Sequence, residues 1–178
     1  TATAALLPGA LALVRERYPA IHLRSVEVDV DDATSAVAAG RVGLAFGVDY
    51  PQAPIPRASD VALLVLATER FSIATPAGSA AQEEPASLFE FADRPWILPP
   101  EHTAYGRAIR MACRRAEFEP RVDHTVTDTA STLSLVAAGL GIAPATDLML
   151  ALRREGLTRV PLTERLERTL VLAHRREP

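Results

Sequence analysis

The sequence predicts an α/β fold with mainly parallel sheets. Three observations point there. Runs of strand length, rich in β-branched and apolar residues, alternate with helical stripes along the whole chain. The run VGLAFGV at residues 42–48 is apolar almost throughout, the pattern of a strand covered on both faces. The segment TDTASTLSLVAAGLGIAP at residues 127–144 reads as a polar turn, an apolar helix, a Gly-Leu-Gly break and a buried strand.

Taken in order, Leu7, Leu11, Val14 and Tyr18 keep i+3/i+4 spacing, which predicts a helix that Tyr18-Pro19 stops. Residues 21–30 are rich in β-branched residues and predict a strand. Asp31 and Asp32 are placed to cap a short helix through Ala39, with Gly40 ending it. After the strand at 42–48, residues 61–75 hold two further apolar runs, VALLVLA and FSIAT. PAGSAAQEEP, residues 76–85, is a loop by composition and a boundary between two lobes. Trp96, Ile97 and Leu98 form a short strand stopped by two prolines. Ile109, Ala112, Cys113 and Ala116 then stripe a helix that keeps Arg107, Arg110, Arg114 and Arg115 wet. Residues 122–126 predict the next strand. In the helix after it Asp128 and Thr129 are candidate caps, Leu133, Val136 and Ala137 face the core, and Gly139 suits a left-handed end. A helix at 146–155 with Thr146 as cap, and strands at 160–162 and 169–173, close the chain.

At 178 residues the chain has length for one sizeable core or two small lobes sharing a hinge. The charge of −3 at pH 7 argues against this chain alone gripping a phosphate backbone. Its basic residues are all arginine, in pairs such as Arg153-Arg154 that read as solvated surface. One cysteine, Cys113, excludes an internal disulfide and a cysteine-rich metal site, and it reads as a small buried hydrophobe. The start, TATAALLPGALALVRER, has no basic leader region and is broken by Pro8 and Arg15-Glu16-Arg17. It is neither a signal peptide nor a membrane span, so the expected compartment is the cytoplasm.

The chemistry is that of binding. Gly139-Leu140-Gly141 follows a helix where dinucleotide glycines precede one, and the third glycine position is Pro144. No G-x-S-x-G elbow and no P-loop occur. His124, Asp128 and Ser131 are near in sequence, but nothing in their spacing demands a triad. The four histidines lack the i/i+4 pairing of a metal site. No catalytic residue, metal or cofactor is expected. What remains is a set of hydroxyls at three helix starts: Thr1 and Thr3, Thr103, and Thr127 with Thr129. Hydroxyls and free N–H groups at helix starts attract carboxylate or phosphate, and strand-to-helix ends of an α/β sheet are where ligands bind.

The segments LLPGALALVRERYPAIHL, AAGRVGLAFG, LATERFSIATPAGSA, RPWIL, EFEPRV, LSLVAAGLGIAP and RTLVLAHRR occur in this order. Together they resemble the effector-binding domain of LysR-type transcriptional regulators, with LVAAGLGIA the most specific piece. The resemblance implies a fold similar to type 2 periplasmic binding proteins, two Rossmann-like α/β lobes joined by two crossing strands. It implies a first lobe at 1–72 plus 160–178 and a second at 73–159, with the family's winged helix-turn-helix absent from this chain. By the same resemblance a small anionic or polar effector sits between the lobes. It contacts Thr1 and Thr3 at the first helix, Gly47 and Val48 after a first-lobe strand, and His102, Thr103 and Ala104 in the loop 101–104. Thr127, Asp128 and Thr129 complete the site. The implied whole protein is a homodimer or homotetramer that meets promoter DNA only through its missing N-terminal domain, with no membrane contact.

Two other readings stay open on the sequence: a solute-binding protein of a transport system on the same fold, and an enzyme on a two-lobed fold. The lack of a leader weighs against the first, and the lack of an acid–base or nucleophile constellation against the second.

Overall fold

The computed structural model describes residues 2–78 and 84–176, with side chains from residue 6 onward. Helix α1 spans Ala2–Arg17. Its half-buried residues include Leu7, Leu11 and Val14, the spacing read from the sequence. Pro8 lies inside this helix, beyond its first turn, and its missing N–H forfeits one backbone bond there.

Residues 21–29 are the main departure. They take no strand, and Ile21, Leu23 and Val26 are exposed. A β-branched composition favours an extended backbone, but a strand exists only through pairing, and this segment pairs with none of the described residues. A 3₁₀ turn at Val30–Asp32 leads into α2, Ala33–Ala38, which Gly40 ends at a φ of 68°. Neither expected cap closes this turn and helix. Asp29 caps the turn by accepting from the Asp31 amide at 2.9 Å, and Asp32 makes no side-chain cap bond.

β1 (Leu44–Asp49), β2 (Val61–Arg70) and β8 (Glu167–Arg175) form one sheet in the order β1-β8-β2. β3 (Ser72–Pro76), β6 (Ala143–Ala145) and β7 (Leu157–Pro161) form a second, in the order β6-β3-β7. β4 (Pro95–Leu98) and β5 (Arg121–Thr125) pair with each other, and the Trp96–Ile142 bridge attaches them alongside β6. The chain crosses from the first sheet to the second between β2 and β3, and returns between β7 and β8.

The expectation of mainly parallel sheets is corrected. β8 runs antiparallel to β1 and β2, and β3 runs antiparallel to β6 and β7. A strand arriving from the other sheet enters against the strands begun there. Parallel pairing survives between β4 and β5, and in the Trp96–Ile142 and Ala86–Leu162 bridges.

The larger core lies around the second sheet, where Trp96, Ile97, Leu98, Ile109, Leu133, Val136 and Ile142 are buried. A smaller core joins α2 to the first sheet through Ala33, Val37, Ala45, Val61 and Ala173. α3 (Ala104–Arg115) carries the buried stripe of Ala108, Ile109 and Cys113 as its spacing requires. α4 covers Thr129–Ala137, and Gly139 ends it at a φ of 78°. The helix expected at 146–155 is a single turn, α5 (Asp147–Leu150), in which Met149 is buried. Its cap is Thr146, as expected, but Leu152 is exposed instead of facing inward.

Candidate functional site

Because β4 and β5 are parallel, their C-terminal ends lie on one edge, where the Val126 amide donates to the Leu98 carbonyl at 3.1 Å. The loops that leave this edge start α3 and α4. Thr103 is the α3 cap: its hydroxyl accepts from the Gly106 amide at 3.0 Å and donates to the Pro100 carbonyl at 2.8 Å. Asp128 is the α4 cap, accepting from the Ser131 amide at 2.8 Å. Bonds from Ser131 hold its carboxyl below the usual carboxylate range. β6 runs parallel to β4, so Thr146 joins the same edge. This is the strand-to-helix edge where α/β sheets bind ligands.

The other side of the site comes from the first sheet. Asp31 lies at the mouth of the turn before α2, and its carboxylate accepts from the Ala104 amide at 2.8 Å. The Tyr50 ring, just past β1, stacks on Tyr105 in the first turn of α3, with centroids 5.8 Å apart and planes within 4°. Phe71, at the crossing, stacks on both rings. The Tyr105 hydroxyl donates to the Pro144 carbonyl at 2.6 Å. Burial pushes the Tyr105 phenol far up, and pushes Tyr50 up to about 12 against the lowering effect of the nearby Arg168.

Beneath the rings lies a buried ion pair. Arg168 on β8 donates to Glu69 on β2 at 2.8 Å and to the Thr146 hydroxyl at 2.9 Å, and its guanidinium sits 5.7 Å from the Phe71 ring centre. The second Glu69 oxygen accepts from the Leu148 amide at 3.3 Å. Two residues of the crossing strands thereby tie into the start of α5.

The residues named from the sequence divide into several groups. Thr103 and Ala104 stand at the start of α3 facing Asp31, and Thr129, half-buried, opens α4 on the same edge. Thr127 and Asp128 are exposed in the turn before it. His102 is exposed, and its carbonyl accepts from Arg107. Gly47 and Val48 are packing residues. A Cβ at Gly47 would meet Val171 at 3.2 Å and Ala33 at 3.3 Å, and Val48 belongs to the larger core. Thr1 lies outside the described residues, and Thr3 opens α1 with its side chain outside them.

Sequence reasoning missed Asp31 as a cleft group, and it missed Tyr50, Phe71, Tyr105, Glu69 and Arg168 altogether. One signal was available: Arg168 stands two residues before the buried Leu170 and shares its face of β8, where an apolar side chain is expected. Among the described residues no three metal-ligating side chains gather, and His124 is on β5 while the Asp128 carboxylate is committed to Ser131. Neither of two surface cavities of about 450 and 380 Å³ is lined by an effector-site residue named from the sequence; both include Asp147 and Arg159, the larger also Glu69 and Phe71, the smaller also Arg153 and Arg154.

Comparison with known proteins places this geometry. The LysR substrate binding domain family matches residues 1–178. A probable HTH-type transcriptional regulator, LrrA of Synechococcus elongatus, is 24% identical over 138 residues, covering 78% of this chain. The match spans 45% of that regulator, so the chain corresponds to about half of its length. Among solved structures, the effector-binding domain of a BenM variant superposes with a TM-score of 0.83 at 22% identity, covering 97% of this chain and 81% of that one. A BenM effector-binding domain with its effector benzoate gives 0.81 at 22% identity, covering 97% and 78%. Full-length CbnR in complex with its target DNA gives 0.77 at 18% identity, covering 97% and 60%. These likenesses establish the α/β fold of type 2 periplasmic binding proteins, and the family model covers the whole chain. The chain belongs to the LysR substrate-binding domain family, the non-enzymatic effector-binding part of LysR-type transcriptional regulators.

Proposed function

We propose that this chain senses a small polar or anionic metabolite held between two lobes, 1–72 plus 160–178 and 73–159, and thereby controls a bacterial transcription factor. The observation that carries the reading is the meeting of Asp31 and the start of α3 across the crossing strands. Capped helix starts on one side face a carboxylate and a stacked ring on the other. A ligand there competes with contacts between the lobes, so its binding favours one relative arrangement over another. In the whole regulator that shift alters a homodimer or homotetramer in the cytoplasm, and promoter DNA is engaged through a winged helix-turn-helix domain outside this chain. The relatives support this: BenM's domain has been solved with benzoate and full-length CbnR with DNA. No helix among the described residues is long and apolar enough to cross a membrane.

A thermal-shift screen over small carboxylates, aromatics and amino acids finds the ligand, since binding to the native state alone raises its stability. Calorimetry on Thr103→Val and Thr129→Val then tests the site. Each variant is expected to weaken binding by about tenfold, the loss of one hydrogen bond to a charged group. Unchanged affinity in both removes this edge from the site.

A further inference from the structure

Two adjoining cavities carry charge that the interlobe site does not use. The larger, about 450 Å³, opens where the chain crosses from the first sheet to the second: Arg70 ends β2, and Phe71 and Ser72 lead into β3. The smaller, about 380 Å³, lies along β7, and Asp147 and Arg159 line both. Arg153 and Arg154, in the loop after the single turn of α5, line the smaller one together with Leu150 and Leu157. From the sequence these two arginines read as a solvated pair, whereas the fold sets them beside Arg159. Four arginines thus line this surface against two carboxylates, in a chain whose formal charge is −3.

The carboxylates are already matched. Asp147 accepts from Arg159 at 2.6 Å, and Glu69 pairs with Arg168 at 2.8 Å. Glu167, opposite Arg70 in the β2–β8 register, is paired with Arg165 at 2.9 Å. Glu84 and Glu155 adjoin the lining in sequence, but neither lines a cavity. The side chains of Arg70, Arg153 and Arg154 make no hydrogen bond or ion pair with any described residue. We infer that the paired cavities bind a small multivalent oxyanion of the phosphate or pyrophosphate type, at a site separate from the interlobe cleft. A guanidinium fork meets two oxygens of such an ion at once, and several unpaired forks match several negative charges where a monocarboxylate would use one. Leu150 and Leu157 make the wall of the smaller cavity apolar on their side, which strengthens charge attraction relative to open water. Arg70 belongs to the outgoing crossing between the sheets, and Arg159 to the strand that leads into the returning one. An anion held by both therefore acts on the hinge between the lobes.

Calorimetry with sodium phosphate and sodium pyrophosphate, at an ionic strength held fixed with sodium chloride, tests this on the whole chain. The variants are Arg70→Gln and the double Arg153→Gln/Arg154→Gln. Two controls replace exposed arginines elsewhere: Arg41→Gln, just after α2, and Arg107→Gln, at the start of α3. All the replaced side chains are exposed, so melting temperatures without phosphate should match wild type. Pyrophosphate is expected to bind one-to-one with a Kd below about 1 mM. Arg70→Gln should weaken it by about tenfold, one charge-assisted bond, and the double variant by more. Both controls should bind as wild type does. No saturable binding by either ion overturns the inference, as does unchanged affinity in both cavity variants. A matching loss in Arg41→Gln would reduce the binding to general charge attraction, and a loss in Arg107→Gln would move the ion to the interlobe edge; either result also overturns it.

Discussion

The Arg168 guanidinium and the Glu69 carboxylate meet at 2.8 Å on neighbouring strands, directly opposite each other in the β2–β8 register. Both side chains are largely buried, so each charge depends on the other for solvation. Arg168→Met leaves Glu69 buried without its partner, and the expected cost is about 3–5 kcal/mol. In a chain of this size that corresponds to a fall in Tm of roughly 6–20 °C. The double variant Glu69→Gln/Arg168→Met removes both charges and should recover most of the loss. Thermal unfolding of the three proteins checks this, and a single variant within about 1 kcal/mol of wild type would show the pair to be dispensable.

Gly106 and Gly139 are glycines for different reasons, and alanine separates them. A Cβ at Gly106 would sit 2.1 Å from the Pro100 carbonyl oxygen, the same oxygen that accepts from the Thr103 amide and hydroxyl. The backbone has to move, and the start of α3 moves with it. Gly106→Ala should therefore cost more than about 3 kcal/mol, in the range of core overpacking and above. Gly139 has open space for a Cβ but a φ of 78°, so Gly139→Ala pays only the left-handed penalty of about 1–2 kcal/mol. Denaturant midpoints of the two variants give the order, and a reversed order would refute it.

Features decided by neighbouring residues were legible in this sequence, and those decided by distant ones were not. Thr103, Asp128 and Thr146 were readable as caps because a cap is decided by the residue and the few that follow it. Of the stripe read on α3, Ile109 and Cys113 are buried and Ala112 and Ala116 half-buried, because helical periodicity is likewise local. Residues 21–29 misled because composition gives extension, whereas pairing needs a partner elsewhere in the chain. Asp31 was legible as a cap-forming residue, yet its bond is to Ala104, 73 positions away. Glu69 and Arg168 are 99 positions apart, and only the antiparallel crossing of β2 and β8 sets them opposite. The missed half of the site is thus the half assembled by topology.

Cys113 is fully buried on α3, and burial pushes its thiol up to about 12. At pH 8 almost none of it is thiolate, the form that reacts. A water-soluble disulfide reagent should label the folded chain only at the rate of its opening, and label it at once in denaturant. Rapid labelling under native conditions would contradict the packing of α3. Cys113→Ser places a hydroxyl among apolar neighbours and is expected to cost about 1–3 kcal/mol.

Glu164 gives the fold a dependence on acid that can be read directly. Its carboxylate accepts from the Leu88 amide at 2.9 Å and from the Ser87 hydroxyl at 2.8 Å, pinning the turn at Leu88–Phe91 to the end of β7. Burial alone would raise its pKa, but these bonds outweigh it and hold the group below its ordinary value of 4.5. A group whose folded pKa is depressed contributes stability above the unfolded value and loses it as pH falls through the folded one. Glu164→Gln should therefore lower Tm at pH 7, and the gap to wild type should narrow steadily below pH ~4.5 as the wild-type carboxylate takes up its proton. Melting curves at pH 7, 5 and 3 make the comparison. A gap that stays constant across that series would mean that shape, and not charge, is what Glu164 contributes.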